Sequence, residues 1–294
     1  MFRNLRVKPR VEQSPPASAL SIELLARDPS VPIALRQLNG LPDNVKKRIY
    51  RTLLPPALLA RFDIGPTTWK RPGGDQVVQL KAEPEYGSVS ISAKKGIDDP
   101  DDFITIEMSD NPFNGVDLNF LLLSDPASPA FRTDVDEEGR PTLFGTARRN
   151  LAEEERAMRA GLAPAQVRAS LGASRAVLEH VEAFLVTWGH RAYFAEPLTY
   201  ASAWVFERRG FAYERGHKLM DDIHKEFQPG GRLRAALDGS TPFRQPDQWR
   251  TVRGRAWAIH DGVLAAIDAR WSDMRMIKQV GRHAGVSTLP GVDY

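Results

Sequence analysis

The feature that most constrains this chain is a rapid alternation of hydrophobic period between Leu171 and Glu214. In SRAVLEHVEAFLVTWG, Val177, Leu178, Val181, Phe184, Leu185 and Trp188 recur at the spacing of one helix face. Ser174 is placed to cap its start, and Gly189 to close it in a left-handed turn. Residues 190–195 (HRAYFA) then read as a short strand. Thr199 to Arg209 reads as a second helix, capped by Thr199 and stopped by Gly210, and Phe211 to Glu214 as another strand. Helix, strand, helix and strand joined this closely imply a sheet covered by helices.

Upstream, Gln76–Lys81, Ser88–Ala93, Phe103–Met108 and Val116–Leu123 are runs rich in β-branched and aromatic residues, separated by Gly, Pro, Asp and Asn. They predict an antiparallel meander. Its fourth run is nearly all apolar from Leu118 to Leu123, which predicts the most buried strand of the four. Residues 1–20, with Ser14-Pro15-Pro16-Ala17-Ser18, read as a flexible arm. In 21–75 helical spacing dominates, first at Ile22, Leu24 and Leu25, then at Val45, Ile49, Leu53 and Leu54 between Pro42 and Pro55-Pro56. Leu219, Ile223 and Phe227 continue the helical pattern. A long apolar stripe through Val252, Ala256, Ile259, Val263, Ile267, Trp271 and Met274 then predicts a C-terminal helical extension over 229–294, divisible at Gly254 and Gly262. That extension could cover the core or make a homodimer. The fold class is α+β, a mixed and mostly antiparallel sheet flanked by helices, with the core over 76–228.

With 294 residues, 42% of them hydrophobic, the chain can bury a sizeable core. No apolar run approaches the ~20 residues of a membrane-spanning helix, and the N-terminus carries charge and proline where a signal peptide is apolar. A soluble, cytoplasmic protein without a membrane partner is expected. The absence of cysteine removes disulfides, thiolate nucleophiles and Cys-based zinc sites. The net charge of +3 decides little, but its distribution is uneven. From Asp98 to Glu138 Arg132 is the only base, whereas Arg232 to Arg282 is basic. This asymmetry marks either a polyanion site or two solvated faces of opposite sign.

Several constellations carry candidate chemistry. His217, Asp221 and His224 fall at i, i+4 and i+7, a spacing that could hold a divalent cation on one helix face but equally reads as the polar side opposite Leu219, Ile223 and Phe227. Asp98-Asp99-Pro100-Asp101-Asp102 lacks the Gly and terminal Glu of a calcium loop and reads as a charged turn. Trp249, Arg250, Arg253, Arg255 and Trp257 mix bases with aromatics, yet their spacing predicts a core helix with a basic outer face and no nucleic-acid partner. Neither a Gly-x-Ser-x-Gly elbow nor a Walker-type loop occurs.

LGASRAVLEHVEAFLVTWG (Leu171 to Gly189) followed by YFAEPLTYASAWVFERRGF (Tyr193 to Phe211) resembles the second half of the GNAT N-acetyltransferase fold. That family opens an amphipathic helix with Gln or Arg, two residues, Gly, one residue, then Gly or Ala; a strand follows, and a helix ending in Tyr-Glu-x-x-Gly-Phe. Glu207, Gly210 and Phe211 match directly. The resemblance implies binding of acetyl-CoA or another acyl-CoA by Leu171, Gly172, Ala173, Ser174 and Arg175, where small residues and the helix dipole suit a pyrophosphate, and by the strand residues Tyr193 and Ala195. It implies acyl transfer to a small-molecule or peptide amine, with Glu196 or Asp117 as base and Tyr200 as acid. Arg208 and Arg209 become surface residues. Ala169 stands at the family's Gln or Arg position and Phe206 at that of the tyrosine that often protonates the departing thiolate. The alternatives are a non-catalytic GNAT-like ligand-binding or interaction protein, and a metal enzyme built on the His217 face.

Overall fold

Prolines and aspartates set the first elements. In the computed structural model, which describes residues 31–143, 145 and 147–294, Pro42 stands at the start of α2 (Asp43–Tyr50) and Pro55-Pro56 opens α3 (Pro56–Ala60). The short α1 (Leu35–Asn39) is tied to the sheet because Asp110 accepts from the backbone N–H groups of Leu35 and Arg36 at 2.7 and 2.9 Å. The expected arm and the helix at Ile22, Leu24 and Leu25 lie outside the described residues.

The meander forms as its alternation requires. Strands β1 (Val78–Lys81), β2 (Ser88–Lys94), β3 (Asp102–Asp110) and β4 (Val116–Leu123) pair antiparallel in sequence order. Inward residues Val89, Ile91 and Ala93 of β2 face the core beside Ile104, Ile106 and Met108 of β3. The most buried strand is β3, not β4: residues 119–123 are exposed or half-exposed, which has a structural cause given below.

After β4 the chain makes α4 (Leu151–Arg159), α5 (Ser174–Thr187), β5 (Ala192–Ala195), α6 (Tyr200–Arg208), β6 (Ala212–Arg215) and α7 (His217–Glu226), then α8 (Arg232–Ala235) and α9 (Val252–His260). The α5 stripe Val177, Leu178, Val181, Phe184 and Leu185 is buried, and Gly189 takes φ +82° behind it. Thr199 caps α6 by accepting from the Ser202 N–H at 3.1 Å.

The helical extension expected over 229–294 is corrected. Gly262 at φ +82° ends the helical stripe after His260, Asp268 at φ +54° ends a short 3₁₀ turn, and Arg275–Gln279 forms β7. This strand inserts between β5 and β6, antiparallel to both, so the seven-stranded order is β1-β2-β3-β4-β5-β7-β6. The C-terminal region thus completes the sheet. Arg255 also departs from the expected outer face. It is buried, with Nε donating to the Trp249 carbonyl at 2.6 Å and its guanidinium over the Phe227 ring.

Beside the main core, Phe131, Ala157, Leu162, Phe243 and Trp257 make a second cluster that fastens α4 to α9. Trp257 Nε1 donates to the Leu162 carbonyl at 2.8 Å. Among the described residues no helix is long and apolar enough to cross a membrane.

Candidate functional site

The site begins with two strands that pair and then part. β4 and β5 are parallel, joined only at Asp117↔Phe194 and Leu118↔Ala195. Beyond Ala195 the chain leaves through Glu196 and Pro197, and proline has no N–H with which to extend a ladder. β4 continues alone to Leu123. A bulge sharpens the divergence: Phe120 opposes Glu107 and Leu118 opposes Met108, leaving Asn119 as the extra residue. Between β4, α5 and α6 lies a cavity of about 1190 Å³, lined by Leu118–Ser124 on the sheet side and by Leu178, Trp204, Val205 and Phe206 on the helix side. The apolar run of β4 is therefore cavity wall, which explains its exposure.

One end of the cavity is electropositive. No side chain caps the N-terminus of α5, and no acidic residue occupies its first turn, so its orphan N–H groups and dipole point outward unneutralised. Ser174 is the first helical residue and not the cap. Its Oγ accepts from Arg209 Nε and Nη2 at 3.2 and 3.0 Å. Arg209 is half-buried, which corrects its expected surface role, and among the described residues it meets no carboxylate. Arg208 is exposed and lies over Trp204. Arg208, Arg209 and His283 all line the cavity.

The expected cofactor residues separate. Ser174 lines the cavity, as do Ser170 and Arg168. Gly172, flanked by those serines, is exposed at φ +69° with open space where a side chain would project. Leu171 turns into the core, Ala173 is half-buried, and Arg175 is exposed and pairs with Glu179 at 3.5 Å. Tyr193 and Ala195 are buried in β5, paired with Lys278 and Met276 of β7. They lie in the sheet and off the cavity wall, so β4, and not β5, presents strand backbone to the cavity.

The expected acid and bases are also placed. Glu196 lines the cavity and is exposed. Asp117 does not line it. One guanidinium holds both: Arg275 donates to Asp117 at 2.9 Å, Glu196 at 3.0 Å and Glu214 at 2.8 Å. Tyr200 is 1% exposed and packs edge-on to Trp271, away from its cavity-lining neighbours Thr199 and Ala201. Its hydroxyl has no hydrogen-bond partner among the described residues. Burial pushes that hydroxyl up to about 12, although the charge of Arg255 opposes the shift. Glu207, matched to the family motif, is a buried tie that accepts from the Tyr213 hydroxyl at 2.6 Å and from Thr288.

A further part of the cavity wall carries a pair of groups that the sequence does not announce. His260 at the end of α9 and Glu154 on α4 both line it, with His260 Nε2 3.2 Å from Glu154 Oε1. The other Glu154 oxygen accepts from Arg149 Nε at 2.9 Å, and Arg149 also holds Asp261 at 2.8 Å. Burial alone would raise the Glu154 carboxyl, but the hydrogen bonds from His260 and Arg149 hold it below its ordinary range. These partners are 106 residues apart, and no local motif announces them. The His217, Asp221 and His224 face does not converge: His217 pairs with Asp221 at 3.2 Å, while His224 Nδ1 meets Arg255 at 3.3 Å. Among the described residues no group of three or more such side chains is arranged to hold a metal.

No family model matches the chain, and neither a curated protein nor a solved structure matches it.

Proposed function

We propose that the cavity holds an acyl-CoA thioester, acetyl-CoA in the simplest case, and that the protein passes the acyl group to a small-molecule or peptide amine. The observation that carries this reading is the cavity beside β4 where that strand runs on past the end of β5, with an uncapped helix N-terminus and the Arg209 guanidinium at its wall. A guanidinium beside a helix N-terminus is repulsive without an anion, and a pyrophosphate supplies one. Ser174, Arg209 and the first N–H groups of α5 would bind it. The apolar wall of Leu121, Leu123, Leu178 and Val205 would exclude water from the thioester. Backbone at the Asn119 bulge is the natural donor toward the thioester carbonyl.

Phe206 favours a second reading, because it lines the cavity without a proton to give the departing thiolate. On that reading the protein binds acyl-CoA and transfers nothing. Thermal unfolding with and without millimolar acetyl-CoA tests what the two share, comparing the natural chain with Gly172→Trp. Each protein is scored against its own unliganded midpoint, since any side chain at φ +69° costs about 1 kcal/mol. A rise in the natural chain that the substitution abolishes supports the site; no rise sinks it. Release of free thiol with an added amine then separates transfer from mere binding.

A further inference from the structure

We infer that His260, oriented by Glu154, is the general base that deprotonates the acceptor amine in this cavity; this rests on the acyl-transfer reading above. Three observations converge. First, the pair lines the same cavity as Ser174 and Arg209, on two helices, α4 and α9, from distant parts of the chain that the Phe131–Trp257 cluster packs together. Second, its geometry is that of a base with an orienting carboxylate. Glu154 is 2% exposed and receives Arg149 on one oxygen and His260 Nε2 on the other. A carboxylate there fixes the proton on Nε2, leaving the lone pair on Nδ1, which has no partner among the described residues.

Third, the surroundings are built to hold the ring still. The Trp257 ring meets it edge-on at 5.7 Å, and Gly145 passes so close that a side chain there would lie 2.4 Å from His260 Cε1. The charged groups facing the pair are Arg149 before α4, Asp261 after α9 and Arg244 bonded to Asp261 at 2.8 Å; Asp134 lines the same cavity. His260 Nδ1 accepts one proton from the alkylammonium and passes it to solvent. The neutral amine then attacks, the C–N bond forms, the C–S bond breaks with its electron pair going to sulfur, and the second nitrogen proton ends on the thiolate.

The test follows thiol release from acetyl-CoA with two probe amines, n-propylamine, protonated at neutral pH, and hydroxylamine, mostly free base there. His260→Gln is expected to lose about 10²-fold or more with n-propylamine and less than tenfold with hydroxylamine, while keeping the acetyl-CoA thermal shift. Glu154→Gln, if it folds, should show the same contrast in smaller degree. NMR of the unliganded protein should find the His260 ring protonated on Nε2. Equal losses with both amines, no loss, no turnover of either probe by the natural protein despite a thermal shift, or a proton on Nδ1 would each overturn the assignment. Absence of the thermal shift itself would instead overturn the acyl-CoA reading beneath it.

Discussion

Arg209, just past the end of α6, donates two hydrogen bonds to Ser174 Oγ at the start of α5, at 3.2 and 3.0 Å. The side chain is spent on a neutral hydroxyl beside a helix dipole of its own sign, an arrangement that gains most when an anion arrives. Arg209→Ala is expected to weaken acetyl-CoA binding about tenfold, the equivalent of one charge-assisted hydrogen bond, and to flatten the salt dependence of binding. Arg208→Ala, which removes an exposed cation that lines the cavity but rests on Trp204 and makes no hydrogen bond to Ser174, should weaken binding less than Arg209→Ala does. Titration calorimetry at two salt concentrations distinguishes them, and equal effects would remove Arg209 from the site.

Tyr200 offers a sharper test because sequence reasoning gave it a chemical role. Its hydroxyl is buried, unpartnered among the described residues, and faces away from the cavity. Tyr200→Phe therefore removes a desolvated polar atom whose one charged neighbour of opposing effect is the buried Arg255 guanidinium. We expect stability to change by less than about 1 kcal/mol, with acetyl-CoA turnover unchanged. A loss of turnover beyond tenfold at unchanged stability would restore Tyr200 as the acid.

How much was legible follows from whether the signal was local. Caps, turns and periodicity are local, so the four-stranded meander, the capped helix at Thr199 and the left-handed glycine at 189 were readable. β7 was not, because the apolar stripe from Val252 keeps helical spacing through the glycine that breaks it, and because inward-facing Lys278 hides the alternation of the strand. Lys278 is tolerated there by Glu182 at 3.4 Å on α5, a partner no sequence window contains. The Leu118–Leu123 run misled in the same way: an apolar run predicts a buried strand, but whether a sheet neighbour or a cavity faces it depends on where β5 stops. Arg209 and the Glu154–His260 pair are long-range by nature, and nothing beside them in the chain marks them.

Glu207 joins the motif helix to both later elements, accepting from Tyr213 on β6 and from the Thr288 N–H at 3.1 Å and its hydroxyl. Its carboxylate is inside the protein, so replacing it by Ala leaves three donors stranded. Glu207→Ala should cost about 2–4 kcal/mol, read by urea unfolding. Glu207→Gln, which still accepts through one oxygen, should cost less than half as much. If both variants are neutral, the C-terminal segment is not fastened by this residue.

His190 sets the behaviour near neutral pH. It is 4% exposed, with Nε2 donating to the Ile33 carbonyl at 3.0 Å. Burial lowers its pKa below the ordinary 6.5, against the smaller opposing pulls of the Ile33 bond and the charge of Asp110. Burial, joined by the Arg255 charge, also lowers His224. In both cases the unfolded chain takes up a proton at a higher pH than the folded one. Their stabilisation is therefore complete above about pH 6.5 and is lost as pH falls below it. Despite burial, Glu154 is held low by hydrogen bonds from His260 and Arg149, and Asp261 by hydrogen bonds from Arg149, Thr241 and Arg244. They act with the same sign only nearer pH 4, so the window from about pH 6.5 to pH 5 belongs to the histidines. The thermal midpoint should drop across that window, and His190→Gln, whatever its own starting stability, should give a shallower slope. Parallel slopes for the two proteins would mean that His190 does not couple folding to protons there.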